Sequence, residues 1–204
     1  MENKISRATL SRIPTYLNYL RSLTLQDNYI SAAAIARNLG LGEVQVRKDM
    51  GALCGSGKPK IGYLTTELIR CLESYLSSEN GNTVIVGGGK LGRALLDYGG
   101  FKEYGLEILA AFDPKAREMQ TSPNGKPILP VEEFPSFCSK NQVRLAIIAV
   151  PAKAAQEVFD MIYAGGIRAI WCFAPCRLKA PPDAIIRYEN MALSLAHLKM
   201  QLPR

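Results

Sequence analysis

The chain has 204 residues, 48% of them hydrophobic and 21% charged, and carries a formal net charge of +7. That length suits two small domains, and the composition is that of an ordinary globular protein, which excludes disordered and fibrous classes. The longest apolar run, Leu145–Val150, is too short to span a bilayer, and the polar, basic N-terminus is not a cleavable signal. A cytoplasmic protein with no membrane partner is therefore expected, and the positive charge points toward a polyanion.

The first element is a helix over Leu10–Leu25, with Ile13, Tyr16, Leu17 and Leu20 on one apolar face. Ser31 is a candidate N-cap for a short helix, AAAIARNL, which Gly40 and Gly42 end. Ala36 and Gly40 suit the tight corner of a helix-turn-helix. A third helix, EVQVRKDMGAL, turns Val46, Met50 and Leu53 toward the core. Its opposite face carries Val44, Arg47, Lys48 and Gly51, flanked by Gln45 and Ala52, while Glu43 and Asp49 fall beside the apolar stripe. Basic and amide side chains on a face otherwise made of small residues suit a DNA groove; a solvated basic face is the alternative. Gly55, Gly57, Pro59 and Gly62 then suggest a hairpin with Lys58 and Lys60 at its tip. A basic wing after a recognition helix contacts backbone phosphate. Thr65–Leu76 forms an amphipathic helix, and Ser77–Asn82 (SSENGN) has linker composition. The domains read as 1–78, a winged-helix DNA-binding domain, and 79–204.

Beyond the linker, apolar β-like runs (TVIVG, LEILAAFD, VRLAIIAV, AIWCFA) alternate with helical stretches, the rhythm of βαβ units around a parallel sheet. The first run enters Gly87-x-Gly89-x-x-Gly92 and passes straight into a helix, KLGRALLDY. In a dinucleotide fingerprint, Gly87 permits the turn, Gly89 admits the pyrophosphate, and Gly92 lets the helix approach the sheet. The helix N-terminus would face the phosphates. Asp113, 21 positions after Gly92, sits where a carboxylate accepts from the adenosine ribose hydroxyls. That carboxylate favours NAD(H) over NADP(H), with Lys115 and Arg117 softening the rejection of a 2′-phosphate.

Catalysis is not expected. The one histidine, His197, lies in the last ten residues, no Tyr-x-x-x-Lys dyad is present, and no substrate domain follows the sheet in this sequence. One histidine and no ligand spacing also argue against a metal site. Five cysteines without a C-x-x-C pair point to reduced thiols. Cys172 and Cys176 read as small apolar fillers at a strand end, with a redox pair as the alternative. Near the C-terminus Met191, Leu195, Leu198 and Leu202 are spaced 4, 3 and 4 apart. They give an apolar stripe on a dimerisation helix over about 190–202.

These motifs together resemble the Rex family of redox-sensing transcriptional repressors. The residues that carry the resemblance are QVRKDM (Gln45–Met50), GKPKIGY (Gly57–Tyr63), VGGGKLGRALLDYGGF (Val86–Phe101), AAFDP, Ala149–Leu178 and Ile186–Leu198. The resemblance implies an α/β fold in which an N-terminal winged helix precedes a Rossmann-like parallel sheet, with a C-terminal helix exchanged in a homodimer. It implies double-stranded palindromic operator DNA as partner, read through Gln45, Arg47, Lys48, Lys58 and Lys60. NAD(H) would be a regulatory ligand held by Gly87, Gly88, Gly89, Lys90, Leu91, Gly92 and Asp113. Val150, Pro151 and Phe173 would border the nicotinamide. NADH would release the operator, and Tyr98 matches a tyrosine of the ligand-sensitive region. Four places depart from the family pattern. Met191–Ala192 stands where a hydrophobic residue precedes an Asp of interdomain polar contacts, Cys172 and Lys90 replace frequent Asn residues, and AFDP is shorter than usual. Other readings are a winged-helix regulator whose Rossmann domain senses another ligand or only dimerises, and a small NAD-dependent oxidoreductase.

Overall fold

The computed structural model describes residues 5–23, 29–77 and 81–202, and the chain divides into two compact units, Met1–Glu79 and Asn80–Arg204. The middle of the predicted linker, 78–80, lies outside the described residues; Ser77 closes the last helix of the first unit and Asn82 opens the first strand of the second.

In the first unit, α1 (Arg7–Ser22) starts at Ser6, whose hydroxyl accepts from the Thr9 amide, and buries Ile13, Tyr16, Leu17 and Leu20. It begins earlier than the Leu10–Leu25 expected, because the capped first turn is polar and apolar periodicity does not register it. It ends at Ser22, and residues 24–25 are outside the described set. After β1 (Tyr29–Ile30), α2 (Ala32–Leu39) is capped by the Ser31 hydroxyl and ends at Gly40, whose φ of 64° is the left-handed C-cap conformation. The Leu41 amide closes the corner onto the Ala36 carbonyl at 2.9 Å. Next, α3 (Glu43–Cys54) buries Val46, Asp49, Met50 and Leu53. The wing follows: Lys58 and Gly62 pair across its neck, and β2 (Tyr63–Leu64) pairs antiparallel with β1. Finally α4 (Thr65–Ser77) closes the core through Leu68 and Leu72.

Asp49 is not merely beside the apolar stripe; it is 4% exposed and forms the polar centre of this unit. Its carboxylate accepts from Arg12 Nε (2.7 Å) and NH2 (2.8 Å), Tyr16 Oη (2.6 Å) and Thr9 Oγ1 (3.0 Å), all on α1. A buried charge is tolerated when its lone pairs are filled in this way. Burial alone would raise the carboxyl, but the bonds from Arg12, Tyr16 and Thr9 outweigh it and hold Asp49 below its ordinary value. Burial, followed by the bond to Asp49, pushes the Tyr16 phenol up to about 12.

The cysteines require a correction. Cys54 and Cys71 are joined by a disulfide between the end of α3 and the middle of α4, with a Cα–Cα separation of 5.9 Å. The spacing of 17 residues carries no local motif, and helix packing brings the two together. Cys138, Cys172 and Cys176 are free, with Cys138 and Cys172 buried.

The second unit runs β3 (Asn82–Val86), α5 (Lys90–Leu96), β4 (Glu107–Asp113), β5 (Gln120–Thr121), β6 (Pro127–Pro130), α6 (Phe134–Lys140), β7 (Leu145–Ile148), α7 (Ala152–Ala164), β8 (Ala169–Cys172), β9 (Ile185–Tyr188) and α8 (Met191–Met200). The sheet order is β5-β6-β4-β3-β7-β8-β9, parallel except for β5. The six parallel strands give the 3-2-1-4-5-6 order of a doubly wound Rossmann sheet, with its switch point between β3 and β7. The four expected runs are β3, β4, β7 and β8. Three further strands were not anticipated: β6 is bounded by prolines, which read as strand breakers, and β5 and β9 are short edge strands. The fingerprint helix also stops at Leu96, leaving Tyr98 beyond its C-cap.

One face of the sheet is packed by α6 and α7 through Phe134, Val158, Phe159 and Ile162 against Phe112, Ile148 and Ile170. The other is packed by α5 through Leu96, against Ile85, Ile108 and Ile147. The β8–β9 crossover contains no helix, so on this second face the β7–β8–β9 side is left open as an apolar groove of about 210 Å³. Phe101, Ile147, Trp171, Ile185 and Arg187 line it.

Replacing Asp49 by Asn should lower the stability of the intact chain by about 2–4 kcal/mol, since it strands a guanidinium and a phenol at a buried site. The pH dependence follows from the lowered folded-state value. The native advantage over Asp49→Asn is full above the unfolded carboxyl range and is lost as pH falls through the folded one. Urea unfolding of both proteins between neutral pH and strong acid checks the magnitude and the sign.

Candidate nucleotide cleft and DNA-reading surface

The carboxyl end of β3 turns abruptly at Gly87 (φ 116°), where a Cβ would strike the Ala149 carbonyl of the strand neighbour. The Gly87 amide donates to Phe112 O at 2.7 Å, tying the turn to β4. Gly92 meets the turn from the other side: a Cβ there would overlap the Gly87 carbonyl oxygen. These two close approaches seat α5 on the sheet. Gly89 differs, with nothing within 4 Å of the position its Cβ would take. It is the N-cap of α5 and supplies no side-chain cap. Its missing side chain leaves space rather than relieving a clash.

That space belongs to a cleft of about 620 Å³, within the range of small-molecule sites. Gly87, Gly88, Gly89, Asp113, Val150 and Pro151 line it together, as the fingerprint anticipates. Lys90 is exposed at the start of α5 and does not line it; Leu91 is half-buried outside the lining, and Gly92 faces the helix–sheet packing. Phe173 is also outside the lining and packs tilted against Trp171, with centroids 4.4 Å apart. Asp113 accepts from the Gly88 amide through Oδ2 (2.7 Å) and from the Lys115 amide through Oδ1 (2.8 Å). A carboxylate offers about four lone-pair directions, so it retains capacity for a pair of ribose hydroxyls.

Residues outside the fingerprint complete the cleft. Arg93 donates to the Gly88 carbonyl (2.9 Å) and to Gln120 (2.8 Å), fixing the glycine loop from above. With Lys115 and Lys153 it places three cations against one carboxylate in the lining. Arg117 is not in the lining. An arginine immediately after the third glycine was the available sequence signal for Arg93; Lys153 had none. Open space at Gly89 and surplus positive charge fit a pyrophosphate, and Asp113 fits the attached ribose.

Tyr98 is 59% exposed, and its ring meets Phe101 edge-on at 5.1 Å. Phe101 in turn meets Trp171 at 6.2 Å, and Trp171 meets Phe173. A file of four aromatic rings thus connects the segment after α5 to the segment after β8.

On α3 the outward face is as the angular reading places it: Val44, Gln45, Arg47, Lys48, Gly51 and Ala52 are all exposed. Arg47 pairs with Glu43 one turn earlier. With its carboxamide oxygen turned toward α1, Gln45 sits 3.1 Å from the Arg12 guanidinium. Lys58 donates to Tyr29 Oη at 3.1 Å, a bond that raises the ammonium above its ordinary value. Lys60 stands at the wing tip with a φ of 63°. Arg47, Lys58, Lys60, Gly51 and Ser31 border one surface pocket between α3 and the wing. Met191, Leu195, Leu198 and Leu202 are all more than 60% exposed, and Leu202 lies past the end of α8. The single stripe needs correcting as well. Leu193 and Met200 are also exposed and lie about 180° around the helix from the stripe, so α8 is apolar on two opposite faces. His197 is exposed on the same helix, away from the cleft lining. Among the described residues no cluster of three or more His, Cys, Asp or Glu could hold a metal, and no helix is long and apolar enough to cross a membrane.

A winged helix preceding a nucleotide-type Rossmann unit defines a ligand-responsive transcription regulator. The comparisons agree over nearly the whole chain. Residues 78–176 match the CoA binding domain model, and residues 4–51 match that of the putative DNA-binding protein N-terminus. The redox-sensing transcriptional repressor Rex of Bacteroides thetaiotaomicron is 33% identical over 95% of this chain and 89% of its own. That of Carboxydothermus hydrogenoformans is 34% identical over 98% of each. A solved structure of RSP in complex with β-NAD+ and operator DNA superposes with a TM-score of 0.83 at 30% identity, covering 97% of this chain and 92% of that one. RSP with β-NADH gives 0.81 at 29% identity, over 98% and 94%. The chain belongs to the Rex family of redox-sensing transcriptional repressors.

The two glycine environments give opposite expectations. Gly92→Ala should cost roughly 2–4 kcal/mol by forcing α5 off the turn, as overpacking does. Gly89→Val should change stability by less than about 1 kcal/mol, since its surroundings are open and its backbone is extended. Thermal unfolding of the two variants beside the parent distinguishes the cases.

Proposed function

We propose that this protein represses transcription by placing α3 and its wing on palindromic operator DNA, and that NADH bound in the glycine-loop cleft releases it while NAD+ does not. The observation that carries this reading is the presence of both halves in one chain. The chain carries both a basic, uncrowded α3 face and a cleft with the space and the charge for a dinucleotide. Full-length likeness to RSP, solved with operator DNA and β-NAD+ and separately with β-NADH, supports it. Residues 1–78 act as the DNA-binding domain and residues 79–204 as the ligand domain, and the protein works in the cytoplasm as a regulator, not an enzyme.

Within this reading, Gln45, Arg47 and Lys48 face the bases and phosphates, and Lys58 and Lys60 hold backbone phosphate from the wing. In the cleft, Gly87, Gly88 and Gly89 receive the pyrophosphate, with Arg93 keeping the loop in place. Asp113 takes the adenosine ribose, and Val150 and Pro151 border the nicotinamide. The aromatic file from Phe173 to Tyr98 gives occupancy of that end a packed route to the surface after α5.

Two chains act together. The groove beside α5 lacks a cover, and α8 is apolar on two faces with no buried residue. A helix apolar on two opposite faces suits a place between two surfaces, which fits exchange of α8 with a partner subunit. Asp→Ala at the family's polar position, here Ala192, leaves that exchange to apolar contacts.

Three measurements test the proposal. A palindromic duplex selected from a random library on the NAD+-loaded protein should bind with nanomolar-range affinity that falls steeply with salt. NADH should release it, and unchanged DNA affinity at saturating NADH would sink the sensor reading. Arg47→Ala with Lys48→Ala should weaken that duplex by roughly 100-fold, at 1–3 kcal/mol per contact; intact binding would remove α3 from the interface. Leu195→Glu with Leu198→Glu should turn the dimer into a monomer in analytical ultracentrifugation, and a dimer that persists would refute α8 as its seam.

A further inference from the structure

The disulfide closes a particular loop. Cys54 is the last residue of α3, and Cys71 lies two turns into α4. The segment between them is the wing, including Lys58, Lys60 and the Lys58–Gly62 neck. The bond therefore staples the end of α3 to the helix on which the wing is anchored, with both phosphate-facing lysines inside the closed loop. Both cysteines are half-buried and border a surface pocket with Gly57, Lys58 and Glu67, which offers a small thiol an approach to the bond.

The opened state is also provided for. Sγ of Cys71 lies 3.4 Å from the Leu53 carbonyl oxygen, an acceptor for the thiol proton once the bond is cut. Tyr75 Oη donates to the same carbonyl at 2.8 Å, so α3 stays docked on α4 without the bond. The segment that reduction would release is the wing loop between the two cysteines. Two of the remaining cysteines are sealed in the second unit, where burial pushes the Cys138 thiol up to about 11 and raises Cys172. A disulfide in a protein that works beside cytoplasmic DNA is, as a class, a transient or sensing one.

We propose that Cys54 and Cys71 form a thiol–disulfide switch on the DNA-reading unit, a second redox input that is separate from the dinucleotide cleft. It rests on the assignment of α3 and the wing to operator DNA. Oxidation consumes one low-molecular-weight disulfide. One cysteine thiolate attacks it, releasing one thiol and leaving a mixed disulfide, and the second cysteine displaces the other thiol. The two protein thiols lose two electrons and two protons; the small disulfide gains them as two thiols. The oxidised form holds the wing in register with α3 and binds DNA more tightly, because less loop freedom is lost on docking.

The test uses the full chain, NAD+-loaded, equilibrated in glutathione mixtures of graded oxidation and scored by alkylation and mass spectrometry. Affinity for the selected palindromic duplex is read on the same samples. The oxidised protein should bind roughly threefold or more tighter than the reduced, reversibly, the scale expected for ordering a short loop. Cys54→Ser with Cys71→Ser should match the reduced protein and ignore glutathione, while Cys176→Ser should respond like the parent. Because the unmutated protein carries the comparison, a variant that fails to fold does not decide it. Equal affinity in samples verified as oxidised and reduced overturns the switch alone. So does a pair that no glutathione ratio opens or closes. Absence of DNA binding in both states overturns the α3 assignment, and the switch with it.

Discussion

The pose of α3 depends on one buried carboxylate. Asp49 points away from the exposed basic face of α3 and is gripped by three residues of α1, so the angle at which Gln45, Arg47 and Lys48 are presented is set from behind. Apolar packing of Val46, Met50 and Leu53 supplies the attraction, but such packing tolerates small rotations. Directional bonds from Thr9, Arg12 and Tyr16 do not. A helix that reads base edges must be held to a fraction of a turn, and the polar cluster supplies such a constraint on α3 at Asp49, the one acidic residue buried in this unit among the described residues. Arg12 also reaches toward Gln45, so one guanidinium links the buried anchor to the exposed face.

Much of this was legible in sequence because the signals are local. Helix faces of α1 and α3, the Ser31 cap and the glycine fingerprint each depend on residues within one or two turns, and all appear where their spacing put them. What escaped depends on distant partners. Asp49 reads as a flank residue until α1 lies against it, and Cys54 and Cys71 have no pattern until α3 and α4 pack. Arg93, Gln120 and Lys153 converge on the cleft from three different elements. The proline-bounded β6 and the short β5 and β9 lack the apolar length that marks a strand, and gain their conformation from neighbours already in the sheet.

The cleft and the reading surface are built by opposite strategies. Around the glycine loop, structure is achieved by removal: Gly87 and Gly92 let backbones touch, and Gly89 leaves a void for a ligand. On α3 and the wing it is achieved by projection, with cations displayed on a scaffold whose own contacts lie elsewhere. Within the second unit, the Rossmann sheet departs from two-sided coverage at β7–β8–β9. The sheet's open groove and the doubly apolar α8 are the same chemical kind of surface, left unsatisfied within one chain.

Lys60 illustrates how far such display departs from what folding alone would choose. A lysine held at a φ of 63° costs on the order of 1 kcal/mol against a glycine in the same turn. Selection for thermal robustness would therefore drift this position toward glycine, whereas selection for grip on a polyanion would keep the cation. The wing tip is thus a place where the two pressures would pull a lineage in different directions.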